Sequence, residues 1–426
     1  MGLHDRTATL LRTGYRFSEW LRARTPGPDR PTPLRILGRR ALVLRGRDGV
    51  DLFYDTDRVE RRAAAPGAIS DTIFGRGAIH TLDDAAHRHR KELFLQITDP
   101  ALVADLADRV DGKWGRETDR WVRRGTGTVL PAAVTVFGEA VQEWAGVDDT
   151  PPVMKQRSRD LGQIVDGFAT PSLAWFRARR ARARANAWAA QLITEVRQGR
   201  RRPERDTAAW VMANATDLDG HPLPVRTAAV ELLNVLRPTV AVAYFAAFAA
   251  LELEANPDLA DRCATGAPVA VEQFCQEVRR MSPFVPMLAA RSRCPFTWHG
   301  HRVRRGDRLL LDVYGTDNDP DAWSDAKTFD PARFGSGRFG SGAYGVGAAE
   351  RPDFIPQGGG DVASGHRCPG EGIAMALLRT VVPSLARLDW SIHPDDRVYS
   401  LRRVPARPAG GVRLLDVRRH LVLRAV

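Results

Sequence analysis

The chain has 426 residues, 43% of them hydrophobic, which is enough to bury a large core. Its formal net charge of +12 raises nucleic acid as a partner, but the arginines are spread over the whole chain, which argues against it. The cysteines Cys263, Cys275, Cys294 and Cys368 form neither a disulfide framework nor a zinc cluster, and they point to a reducing cytoplasm.

In chain order, the first seven residues lack the charged-then-apolar order of a signal peptide. Residues 1–35 carry Tyr15, Phe17 and Trp20, then Pro26, Pro28, Pro31 and Pro33, and read as an irregular entry segment. Residues 41–44 and 50–54, joined by Arg45-Gly-Arg-Asp-Gly, predict a β-hairpin. Residues 79–91 lead into a helix on which His87 and Lys91 are four apart and share a face, a spacing that could hold a pair of carboxylates. Residues 177–184 interleave Arg with Ala and predict an exposed helix face, with an acidic partner or an anionic surface as the functional alternative. From Val240 to Leu251 the chain is apolar on every side, which predicts a core helix. Arg237-Pro238 interrupts that apolar stretch, which therefore does not read as a membrane span. Arg237 has no acid at its in-helix partner positions, Leu233, Asn234, Val240 and Ala241. Pro238 frees the Asn234 carbonyl and predicts a kink. A buried guanidinium is expensive unless paired. The stretch therefore describes either a pocket awaiting an anion or an ion pair with a remote Asp or Glu. Glu277 and Arg280 are three apart, the spacing of a helix-surface ion pair. A short β-like interval near 296–313 and a glycine-rich loop over 335–342 follow. No repeat or linker divides the chain, which reads as one mainly α domain over 1–426 with small β-sheets.

The most informative stretch is Phe354-Ile-Pro-Gln-Gly-Gly-Gly-Asp-Val-Ala-Ser-Gly-His-Arg-Cys-Pro-Gly-Glu. Cys368 stands between a glycine-rich loop and a helix signalled by Pro369 and by apolar residues from Ile373 to Leu388. A helix N-terminus favours an anion, and His366 and Arg367 add positive charge that should lower the thiol pKa. A phosphate loop would need Lys and Ser/Thr where His366 and Arg367 stand. A lone thiolate beside a glycine-lined loop suits haem iron.

Together these pieces resemble the cytochrome P450 superfamily of haem-thiolate enzymes. Glu277-x-x-Arg280 is similar to its Glu-x-x-Arg helix, Pro331-Ala-Arg333-Phe334 to the segment whose Arg joins that ion pair, and Cys368-Pro-Gly to its ligand motif. Two departures point to one branch, the bacterial fatty-acid peroxygenases. Asp361 and Ser364 stand where the usual loop has Phe and Gly, and Arg237-Pro238 replaces the usual acid–alcohol pair. The similarity runs from about Leu52 to the C-terminus and includes Tyr314-Gly-Thr and residues 399–405.

The resemblance implies the cytochrome P450 fold, haem b held by Cys368 as axial ligand of the iron, and hydrogen peroxide as co-substrate. It implies hydroxylation of a long-chain fatty acid at the α or β carbon, with decarboxylation to terminal alkenes as a further outcome. The substrate carboxylate would pair with Arg237, beside Pro238, and act as the acid–base group. His87, Lys91, Arg61 and Tyr314 match positions that contact haem propionates, and Gln357 belongs to the same cofactor set. Phe74 resembles a pocket-lining aromatic, and His80 a position near the haem where His accompanies decarboxylation or simply shapes the pocket. No obligatory redox partner is implied. The rival readings are a monooxygenase fed by a reductase, to which a basic surface could dock an acidic partner, and a non-catalytic haem sensor.

Overall fold

One helix apolar on every face and one sheet with buried strands set the architecture. A computed structural model describes residues 4–24, 31–167, 169, 172–335 and 351–420. The helix Val225–Ala255 runs through the core, and nearly every side chain from Ala228 to Ala250 is buried. It packs against Val129–Trp144, Pro151–Asp166, Leu173–Arg197 and Glu371–Ala386. It is long and apolar enough to cross a membrane, yet 94% of its apolar window is buried inside the protein. All-round apolarity here serves a protein core.

The largest sheet has the order Thr32–Ile36, Arg39–Leu44, Arg308–Asp312, Met287–Ser292, Val59–Glu60. Arg39–Leu44 pairs in parallel with Arg308–Asp312, with Ala41 opposite Arg308, and the other neighbours are antiparallel. Thr126–Thr128, Arg413–Arg419 and Leu388–Ile392 form a second sheet. Phe296–Trp298 and His301–Val303 make a hairpin whose two turn residues, His299 and Gly300, both have positive φ. The β-like interval near 296–313 is thus borne out. The patch over 335–342 lies, beyond Gly335, outside the described residues.

Three expectations are corrected. Residues 50–54 are not a strand; they belong to the helix Gly46–Tyr54, and the hairpin is formed instead by Thr32–Ile36 with Arg39–Leu44. The buried positions Gly49, Val50, Leu52 and Phe53 repeat at three residues, and they press that helix onto Leu42 and Leu44. The entry segment is ordered rather than irregular: Thr7–Thr13 and Phe17–Arg22 are helices, and Phe17 and Leu21 pack on Leu34, Ile36 and Leu310. The Glu277–Arg280 pair is buried in the core, not on a surface. Arg280 donates from Nε and Nη2 to Glu277 at 2.7 Å each, and Arg333 Nε adds a third contact at 3.1 Å. That triad fastens the helix Pro268–Met281 to the turn at Pro331–Phe334, just ahead of the cysteine loop.

Candidate active site

Cys368 stands three residues before the helix Glu371–Ala386, as its sequence position predicts, while Leu388 begins the next strand rather than ending the helix. Its N–H donates to the Gln357 carbonyl at 3.1 Å, and the Gly370 N–H points at its sulfur. The glycines upstream leave room that no other residue could leave. A Cβ on Gly360 would lie 2.9 Å from the Tyr54 ring, one on Gly359 2.9 Å from Val50, and Gly360 has φ +76°. The Asp361 carboxylate accepts from the Ser364 N–H and hydroxyl at 2.7 Å each, closing the loop where the motif departs from the usual one.

The expected acid thiol is corrected. Burial pushes the Cys368 thiol up, and the Gly370 N–H, Lys91 and Arg237 only partly pull it back. Arg367 is spent on Glu371 at 2.8 Å, and His366 faces Asp83 at 3.8 Å. Lys91 reaches the loop instead, its Nζ donating to the carbonyls of Gly365, at 3.0 Å, and Arg367. A half-buried cysteine with one N–H donor to its sulfur and a cationic wall is costly as a free thiolate and suited to bonding a metal cation.

That wall holds three of the residues expected to meet haem propionates. Asp83 accepts from the backbone N–H of Arg61 at 2.7 Å and of Arg62 at 3.0 Å. Burial pushes Asp83 up, but His366 and those two N–H groups win and hold it at about 2. His87 stacks on His366 with centroids 3.8 Å apart; burial, then the charges of His366 and Lys91, push it down to about 3. Burial likewise brings Lys91 to about 8 and Arg61 to about 10. The Arg61 guanidinium lies 4.1 Å from the Phe53 ring centre and donates to the Phe53 carbonyl at 3.0 Å. Neither Arg61 nor Lys91 has a carboxylate at ion-pair distance among the described residues. A buried Lys91 and a half-buried Arg61, neither with a carboxylate at ion-pair distance among the described residues, fit a cofactor carrying two carboxylates.

Two members of the expected cofactor set have side chains with other partners. Tyr314 packs edge-on against Tyr15 at 5.2 Å. The Gln357 side chain accepts from Arg279 Nε at 2.9 Å, and Arg279 also reaches Glu371.

Arg237, Phe74 and His80 come together on the other side. Arg237 is 6% exposed, and no Asp or Glu among the described residues is at ion-pair distance from it. The remote-acid reading fails there: Glu231, one turn and a half away, is taken by Arg90 at 2.7 Å, Asn234 at 3.1 Å and the Ile79 N–H at 2.8 Å. Among the described residues Arg237 keeps only a long 3.5 Å contact with the side-chain carbonyl oxygen of Asn234, and its Nε has no partner. Burial, then the charge of Arg182, pushes Arg237 down to about 9, while Cys368 pulls the other way. Its guanidinium lies 5.8 Å from the centre of the Phe74 ring, which stacks on His80 at 3.9 Å and 17°. Burial, then Arg237, holds His80 well below the usual imidazole range, so the ring is neutral, and its buried Nδ1 has no partner.

Sequence reasoning did not single out Arg90, Arg182 or Arg279, all buried. Their partners are far away in sequence, apart from Gln276 beside Arg279, so no local charge spacing marked them. The run over 177–184 is exposed as expected at Arg177, Arg179, Arg180 and Arg184, but Arg182 turns inward.

Comparisons with known proteins identify relatives of this fold. A family profile described as Cytochrome P450 matches residues 270–403. A solved mutant of cytochrome P450SP alpha is 34% identical, covers 97% of this chain and 99% of its own, and superposes with a TM-score of 0.90. Cytochrome P450EX alpha, solved with myristic acid, is 33% identical over 99% of this chain and 98% of its own, with a TM-score of 0.89. A variant of cytochrome P450 OleT, solved with arachidonic acid, is 28% identical over 99% of this chain and 98% of its own, with a TM-score of 0.90. Curated plant relatives match over shorter stretches, and the chain spans 23% of the length of one from Oryza sativa.

Proposed function

The chain belongs to the cytochrome P450 family, and from that premise we propose that it is a fatty-acid peroxygenase, using hydrogen peroxide to hydroxylate a long-chain acid at the α or β carbon. The observation that carries this reading is Arg237, a buried guanidinium with no carboxylate at ion-pair distance among the described residues, beside the Phe74 ring and within electrostatic reach of Cys368. Two relatives solved with fatty acids support the same class of ligand.

Haem held by Cys368 would supply, with hydrogen peroxide, the oxidant that attacks the C–H bond. Arg61, His87 and Lys91 would hold its propionates. Arg237 binds the acid through charge-assisted hydrogen bonds, and its free Nε permits a two-pronged grip. A carboxylate gripped there brings a proton-accepting oxygen into a pocket where Arg237 has no acidic neighbour, so the substrate supplies the acid–base group. Neutral His80 does not compete with Arg237 for the anion, and Phe74 closes the wall beside it. Fixing the head group fixes which carbon faces the oxidant, which is why attack falls near the carboxyl end. His80 bears on how much of the acid leaves as terminal alkene. Localisation in the cytoplasm, without an obligatory redox partner, belongs to the same proposal.

The test is product analysis with haem-loaded protein, a saturated long-chain acid and hydrogen peroxide, with no reductase present. Hydroxy acids or terminal alkenes are expected. No product with peroxide, followed by turnover once NAD(P)H and a redox partner are added, would overturn the reading in favour of a conventional monooxygenase.

A further inference from the structure

We propose that Arg182 is a positioning residue of the acid pocket: it fastens the end of the helix Gly67–Ile73 so that the Phe74 ring stays between His80 and Arg237. The inference rests on the fatty-acid reading for its functional consequence, though not for its geometry.

The last carbonyls of a helix need donors from outside it. Here they come from another helix. Arg182, on Leu173–Arg197, donates from Nη2 to the Phe74 carbonyl at 3.0 Å and from Nη1 to the Ile73 carbonyl at 3.4 Å. The side chain is 3% exposed and has no carboxylate at ion-pair distance among the described residues. Burying a guanidinium against two carbonyls alone is a poor exchange for stability. The chain also makes room for it at the next residue. Gly75 has φ +89°, and a Cβ there would lie 2.1 Å from Arg182 Nη2 and 2.8 Å from Val230, two turns before Arg237 on the central helix. One guanidinium thus ties the helix Leu173–Arg197 to the backbone of Phe74, the residue whose ring meets His80 at 3.9 Å and Arg237 at 5.8 Å. As a second buried cation near Arg237 it also makes the pocket more attractive to an anion.

The experiment measures palmitate binding to haem-loaded protein by calorimetry, and the positions of oxygen in the products. Arg182→Met should stay folded with its haem, bind palmitate about tenfold more weakly, and shift the ratio of α to β products. Arg182→Lys, which keeps the charge and one donor, should recover part of both changes, a rescue that a mere space-filling role does not predict. Wild-type affinity and product positions in Arg182→Met would overturn the proposal. Should Arg182→Met fail to fold, Gly75→Ala presses on the same guanidinium from the other side, and unchanged affinity and positions in that variant would overturn it equally. If the wild-type protein itself does not bind palmitate, the fatty-acid reading fails. A crystal structure of whichever variant folds then decides the rest: a Phe74 ring still stacked on His80 overturns the positioning role, and a displaced ring supports it.

Discussion

Arg237→Met keeps the length of the side chain while removing its charge and its donors. A guanidinium that burial holds at about 9 carries a desolvation cost on the order of 5 kcal/mol, at about 1.4 kcal/mol per pH unit. Little among the described residues offsets it: a 3.5 Å hydrogen bond to Asn234, the Phe74 ring at 5.8 Å and the charge of Cys368. Methionine refills most of the volume, so the protein without substrate should become more stable by roughly 2–4 kcal/mol. The sign of the pH dependence follows from a cation whose folded pKa lies below its unfolded one. The penalty is fully present below about 9 and is relieved only above it, so the gain should be constant across neutral pH. Binding should move the opposite way. Removing one partner of a desolvated charge pair costs roughly 2–5 kcal/mol, about 30- to several-thousand-fold in Kd. Thermal melts with and without palmitate read both effects. Acid at a hundred times the wild-type Kd should raise wild-type stability by about 2.7 kcal/mol and that of Arg237→Met by less than about 1 kcal/mol. A variant less stable than wild type would mean that the guanidinium has a partner in the substrate-free protein. A variant that binds palmitate as before would remove Arg237 from its role.

The remaining predictions concern the ligand, the scaffold and the acid limb of stability. Cys368→Ser should lose the thiolate signature in the reduced carbon-monoxide spectrum, and an unchanged spectrum would put the iron ligand elsewhere. Glu277→Gln leaves Arg280 and Arg333 buried without their counter-charge and should cost about 3–5 kcal/mol, read as a lower unfolding midpoint and less folded haem protein; a midpoint within error of wild type would refute the role given to that triad. Glu252 is raised to about 7 by burial, then by the charge of Glu277. The unfolded chain therefore releases that proton first, and stability is lost as pH rises from about 4.5 to about 7. Glu252→Gln should flatten that slope and gain roughly 2–3 kcal/mol above it; denaturation midpoints that track wild type in parallel across this window would sink the assignment.

Much of this site was legible because its signals are local. The spacing of Glu277 and Arg280, the glycines before Cys368 and the apolar run around Arg237 each lie within one element, where periodicity and turn chemistry act directly. Residues 50–54 misled because Val-Asp-Leu-Phe-Tyr alternates like a strand over so short a window. The deciding term, burial of Gly49, Val50, Leu52 and Phe53 against Leu42 and Leu44, is tertiary. The acidity of Cys368 misled for a related reason. Its sequence neighbours are cations, but Arg367 is neutralised by Glu371, His366 faces Asp83, and the desolvation that dominates is invisible until the loop is closed.

Charge counts alone would not have ranked the arginines, whereas partner accounting does. Among the described residues, Arg90, Arg279, Arg280 and Arg367 are buried against carboxylates, which makes them parts of the scaffold. Arg182 and Arg308 are buried against backbone carbonyls. Arg182 acts on the Phe74 backbone, whereas Arg308 donates to Ile36 within the sheet. Among the described residues Arg237 has neither a carboxylate nor a carbonyl of the main chain, and it stands in the middle of the long apolar helix through the core. A folded chain that retains so costly a charge is complete only when a ligand brings the missing anion, and a fatty acid brings that anion together with the apolar tail that such a helix can cover.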